Sequence, residues 1–186
     1  MPDPSPLTIR FIGHLEDLAH RQDRGALAAL RRGLSASPGY APESYAHVIP
    51  WLPDKRSPVM EAAFFLVAAL FALHPESRNP TDERRANFGE SFAALRQKSG
   101  SMEKRFVALL ASPWEDLPEH LRHAVALLKA ESVSVDYAQL LEDLIRWNAE
   151  SRFVQRAWAR AFWRETVPPR PADYAAPNPQ PQTTKE

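Results

Sequence analysis

Apolar residues recur at three- and four-residue intervals through most of the chain, the period of a helix with one buried face. Leu7, Phe11, Leu15 and Leu18 predict a helix over 7–19. A second follows over 25–34, with Leu27, Leu30 and Leu34 inward and Arg31 and Arg32 toward solvent. Residues 35–40 (SASPGY) read as a turn, and 45–51 as a short helical piece closed by Pro50 and Pro53. Ser57 is placed to cap a strong helix whose first position is Pro58. From Val59 to Leu73 that helix is apolar on nearly every side, which predicts a buried central element. Residues 74–81 form a loop and 82–85 a charged extension of it. Phe88, Phe92 and Leu95 predict a helix over 87–98, stopped by Ser99 and Gly100. Ser101 is placed to cap a helix reaching Ala111, with Glu103 near its positive end. Ser112, Pro113, Trp114 and Glu115 have the pattern of a capping box, ahead of a helix over 118–130 with Leu121, Val125 and Leu128 inward. Two more helices fill 136–164, separated by a break at 148–151.

No stretch alternates with the period of a strand, and no Asn-Gly or Asp-Gly hairpin turn occurs. The expectation is an all-α protein of about eight helices. Ser99 and Gly100 mark the best boundary between two small lobes, 7–99 and 100–165. A loose lead over 1–6 precedes them, and 166–186 is expected to be a disordered tail, rich in proline and poor in apolar residues.

Composition narrows the function. Of 186 residues, 44% are hydrophobic, enough for a sizeable core. Lys plus Arg equals Asp plus Glu at 23 each, so the net charge is zero and a strong free-standing nucleic-acid binder is disfavoured. No cysteine is present, which removes disulfides, thiol nucleophiles and Cys-ligated metals. The start lacks the basic and apolar segments of a signal peptide, and the longest apolar run, 62–73, is too short to span a bilayer. A soluble cytoplasmic protein is expected.

Catalytic patterns are absent. His120 and His123 sit one turn apart, but no His-Glu-x-x-His pattern accompanies them, so they read as solvated or hydrogen-bonded side chains. Glu142 and Asp143 point about 100° apart on a helix and cannot share a proton. They are expected to form a solvated face or to pair with Arg146. There is no phosphate-cradling glycine loop and no Gly-x-Ser-x-Gly elbow. No catalytic residue, metal or cofactor is expected.

The basic residues form clusters instead: Arg31 with Arg32, Lys55 with Arg56, Lys104 with Arg105, then Arg122 and Arg146. The last helix carries Arg152, Arg156, Arg160 and Arg164, each four residues after the previous one. Each step turns the face by about 40°, so the four drift across a third of the helix. No acid lies between Ser151 and Arg164 to neutralise them. Arginine's planar fork suits a track of phosphates, although any single helical arginine serves equally well in a salt bridge. Trp158 and Phe162 are expected in the core, while Trp147 and Trp163 fit either a core or a base-stacking role.

The order and spacing of ALRRGL (29–34), FFLVAALFAL (64–73), SMEKRFVALL (101–110), LPEHLRHAVALLKA (117–130), VDYAQLLEDLIRW (135–147) and VQRAWARAFW (154–163) resemble the CasB family. That family is the small subunit of the type I-E CRISPR surveillance complex, Cascade. The resemblance implies two helical lobes and no catalytic activity. It implies a pair of copies beside the guide-RNA-coated backbone subunits and the large subunit, holding the displaced non-target DNA strand of the R-loop. It carries basic contact positions onto Arg31, Arg32, Arg56, Lys104, Arg105, Arg122, Arg152 and Arg156, with His123 standing where some relatives have a second basic residue. The alternative is a helical interaction module whose arginines serve protein contacts alone.

Overall fold

The computed structural model describes residues 4–34, 41–78, 85–96 and 100–164. The turn expected at 35–40, the charged residues 82–84, the end of the helix expected over 87–98 with Ser99 of its stop, and the proline-rich tail at 166–186 lie outside them. Among the described residues the fold is all-α: α1 (Pro6–His20), α2 (Arg24–Arg32), α3 (Tyr45–Val48), α4 (Pro58–Leu73), α5 (Phe88–Ala93), α6 (Ser101–Ala111), α7 (Leu117–Ala130), α8 (Tyr137–Ile145) and α9 (Phe153–Trp163). Two short 3₁₀ turns flank α3. The only extended pairing in this set is an isolated parallel bridge between Ser77 and Val135.

Local chemistry sets most helix starts. Ser5, Asp23, Ser57, Asn87 and Asp136 each accept a hydrogen bond from the amide three residues on, which satisfies an otherwise orphaned donor. Two expected caps are corrected. The N-cap position of α6 falls on Gly100, and Ser101 is the first helical residue. Ser112 caps nothing ahead of it: its hydroxyl donates back to the Leu109 carbonyl at 2.8 Å, and α7 begins only at Leu117, one residue before Pro118. The helix expected over 87–98 is also shorter, ending at Ala93, yet Phe88, Phe92 and Leu95 are all buried.

α4 is the central element, with every residue from Ala63 to Ala72 buried. It packs against α2 and α8, while α5 packs against α9. A single apolar core runs from Phe11 on α1 to Phe162 on α9. Its aromatic centre joins α5, α6 and α9 through Phe92, Phe106 and Phe162, with the Phe106 and Phe162 ring centroids 4.2 Å apart.

A buried apolar helix leaves its last carbonyls without intrahelical partners, and burial makes each costly. Here they are satisfied from neighbouring elements. Tyr137 donates to the Leu70 carbonyl at 3.4 Å and to that of His74 at 2.6 Å. The His74 amide donates to Leu70 and Phe71. Arg31 donates from Nε and Nη2 to the Ala72 carbonyl at 3.0 and 2.8 Å, and Lys129 donates to Leu73 at 2.9 Å. His74 itself is buried, with Nε2 donating to the Val133 carbonyl at 2.8 Å.

Candidate nucleic-acid interface

The orientation of α9 is fixed from its buried side. Trp158 is fully buried, its ring tilted against those of Phe88 and Trp147 with centroids 5.1 Å away in each case, and its indole donates to Asp143 Oδ2 at 2.5 Å. Residues two positions away on a helix point about 200° around the axis. Anchoring Trp158 inward therefore turns Arg156 and Arg160 outward, and both are exposed. Neither has an ion-pair or hydrogen-bond partner among the described residues.

α6 lies antiparallel beside this helix. Arg152 Nη2 donates to the Leu110 carbonyl at 2.6 Å, and at the other end Trp163 Nε1 donates to Glu103 Oε1 at 3.3 Å. Lys104 and Arg105 are exposed on α6 and likewise have no carboxylate partner among the described residues. Arg122, half-buried on α7, stands beside His123 with Nη2 and Nε2 3.2 Å apart. A guanidinium only donates, so the imidazole Nε2 accepts and the proton sits on Nδ1. Lys104 and Arg105 thus lie on α6, Arg122 on α7, Arg152 just before α9, and Arg156 and Arg160 on α9.

The other basic positions have fixed structural partners. Arg31 closes the end of α4, as described above. Arg32 lies 3.8 Å from Glu43, and Arg56 donates to Glu61 at 2.6 Å and to the Pro53 carbonyl at 3.1 Å. Arg146 pairs with Glu142 and donates to its backbone carbonyl at 2.8 Å. Arg152 is partly structural too, because it occupies the position before α9 in the left-handed region with φ of 48°. Arg31→Ala should accordingly lower stability by about 1 kcal/mol, the scale of one net hydrogen bond, whereas Arg156→Ala should leave the thermal midpoint unchanged. Equal midpoints for the two variants would show that Arg31 does not support α4.

Glu142 and Asp143 do not form a solvated face: both are buried. Glu142 accepts from Thr8 Oγ1 at 2.6 Å and from the Ser5 amide at 3.0 Å, tying α8 to the start of α1. Burial alone raises its pKa, but these bonds and Arg146 outweigh it and hold the carboxyl below its ordinary value. Asp143 has hydrogen bonds from Trp158 and Gln139 and no ion pair among the described residues, and burial pushes it up to about 7. Trp147 is also core, with its indole donating to the Ser112 carbonyl at 3.2 Å, and Trp163 is half-buried against Phe106 and Phe162. Neither tryptophan is a freely exposed stacking platform. Among the described residues no group of three His, Asp or Glu side chains is arranged to hold a metal, and no helix is long and apolar enough to cross a membrane.

Comparison with known proteins agrees with this architecture. Residues 26–163 match the family described as CRISPR-associated protein Cse2. A CRISPR-associated protein Cse2 from Thermus thermophilus is 36% identical over 157 residues, covering 83% of this chain and 88% of that protein. The crystal structure of a Cse2-family protein from the same organism superposes with a TM-score of 0.75 at 36% identity, covering 86% of this chain and 98% of the other. A chain of a CRISPR RNA-guided surveillance complex superposes with a TM-score of 0.67 at 30% identity, covering 84% and 96%. The chain therefore belongs to the CRISPR-associated Cse2 family, also known as CasB.

Proposed function

We propose that this protein is the non-catalytic small subunit of a type I-E CRISPR surveillance complex, working in the cytoplasm. In this reading it sits beside a second copy of itself and beside the backbone and large subunits with their guide RNA. It steadies the R-loop by gripping the backbone of the displaced non-target strand. The observation that carries this reading is that Lys104 and Arg105 on α6 and Arg156 and Arg160 on α9 are exposed without carboxylate partners among the described residues, on a chain of zero net charge. Such a surface attracts phosphates locally while its long-range field stays weak. That suits a subunit assisting an assembly. Opening the duplex against the guide is close to energetic balance, so modest contacts to the freed strand shift it. The guide reads the sequence, so backbone contacts suffice.

Each phosphate neutralised on a single strand contributes roughly 0.7 to the slope of log affinity against log salt. Changing Lys104, Arg105, Arg156 and Arg160 together to alanine should flatten the salt dependence of target binding by about two to three units, whatever the target sequence. Alanine preserves helix propensity at all four positions. The measurement is a salt titration of target binding by complexes carrying either form of the subunit, with its occupancy checked by gel. Coincident slopes at full occupancy would rule out strand contact by these four residues. Loss of the variant subunit from the complex would assign these residues to a protein interface instead.

A further inference from the structure

A cavity of about 240 Å³ opens between α6 and α7. Phe92, Leu109 and Leu127 give it an apolar floor, and Arg105, His120 and His123 stand in its wall. Among the described residues no carboxylate lines it. An apolar cup walled by hydrogen-bond donors and a fixed cation fits a ligand with a flat, weakly polar body joined to an anionic group. The histidine pair, which no metal or catalytic pattern explains, thereby acquires a use. His123 is held by Arg122 with its proton on Nδ1, and Lys104 is exposed next to Arg105.

We propose that this cavity receives one unpaired base of the displaced strand, with Arg105 meeting the adjoining phosphate and His120 and His123 donating to the base or sugar. The proposal rests on the reading of the exposed α6 and α9 cations as the strand's track, and it adds a grip on a base to that grip on the backbone. A single nucleotide fits better than an extended peptide, because a volume of about 240 Å³ is below that of the usual small-molecule cleft. Seating a base in it is tolerant of sequence, since every base has an apolar face. The consequence is a contact that salt does not weaken, beside phosphate contacts that salt does weaken.

The test uses the assembled complex and a target whose non-target strand is left unpaired with the target strand along the stretch beside this subunit, so that the cost of opening is the same throughout, and carries there either intact bases or consecutive abasic sites. Wild type should bind the intact target about tenfold more tightly than the abasic one, the scale of losing one stacked base. Ala108→Trp fills the cavity from an exposed helical position and removes no charge. It should lower affinity for the intact target to the abasic level and leave the salt slope unchanged. The abasic comparison requires no variant, so the outcome does not depend on that substitution folding. If intact and abasic strands bind wild type equally while the four-alanine variant still flattens the salt slope, the strand is held by its backbone alone and the cavity proposal falls. If the four-alanine variant is also without effect, the strand-binding reading falls with it. If Ala108→Trp expels the subunit from the complex, the cavity seats a neighbouring protein and the proposal is overturned.

Discussion

Gly89→Ala is expected to be the most damaging of the glycine-to-alanine changes among the described residues. A Cβ at Gly89 would lie 2.2 Å from the Trp158 carbonyl oxygen, 2.7 Å from its carbon and 2.8 Å from its Cα. All three are backbone atoms of α9, so no rotamer change relieves the clash. Either α5 or α9 must move, and overpacking of this kind costs about 3 kcal/mol or more. α5 has only six residues and cannot persist once its packing is lost. Phe88 and Phe92 would go with it, along with the Asn87 side-chain bond to the Ala157 carbonyl at 3.3 Å. Gly13 is the internal control. It lies within α1, and an added Cβ there meets nothing within 4 Å. Gly13→Ala should therefore raise stability by about 0.5–1 kcal/mol, because alanine loses less backbone freedom on folding. Urea unfolding of the two variants gives the comparison. A Gly89→Ala protein as stable as wild type would mean that α5 and α9 do not cross this closely.

The contrast between the two glycines shows what periodicity reveals and what it does not. The helices, the buried character of α4 and the outward face of Arg156 and Arg160 were all legible, because each depends on spacing within one element. Partners distant in sequence were not. Arg31 and Arg156 look alike as exposed helical arginines, and only the Ala72 carbonyl, 41 residues from Arg31, distinguishes them. The pairing of Arg146 with Glu142 was legible because it is local, one turn apart. The capping box at Ser112 misled because the serine had a nearer acceptor behind it, the Leu109 carbonyl. The cavity beside Arg105 left only a faint trace in the sequence, two histidines one turn apart. Its apolar floor comes from three helices that only the tertiary fold brings together.

Asp143 was misread for the same reason, and its burial predicts an inverted pH dependence of stability. In the unfolded chain this carboxyl titrates at its ordinary value near 3.8, and in the folded protein at about 7. Between those values the folded state holds a proton that the unfolded state has released. Raising the pH through this window therefore removes stability, and the contribution is fully present only below the unfolded value. From pH 5 to pH 8 the expected loss is roughly 2–3 kcal/mol. Two other groups act in the opposite sense. His14, lowered by its own burial and by His47, costs stability as the pH drops below about 6.5, and Glu142, held low by its hydrogen bonds, does so below about 4.5. The variant that isolates Asp143 is Asp143→Asn. Its amide oxygen would keep the bond from Trp158. Its NH₂ would donate to Gln139 Oε1, which is buried and has no hydrogen-bond partner, once that side chain turns its amide over. An asparagine thus reproduces the protonated acid at every pH. The difference in urea midpoint between wild type and Asp143→Asn should favour the variant at pH 8 and shrink toward pH 5. Asp143→Ala, which leaves the Trp158 indole and the Gln139 amide without their acceptor, should be destabilised at both pH values, by about 1–3 kcal/mol for each buried group left unpaired. A midpoint difference between wild type and the asparagine variant that does not change with pH would show that Asp143 is ionised in the fold. The anchoring of Trp158, and with it the outward setting of Arg156 and Arg160, would then rest on a charged acceptor rather than a neutral one.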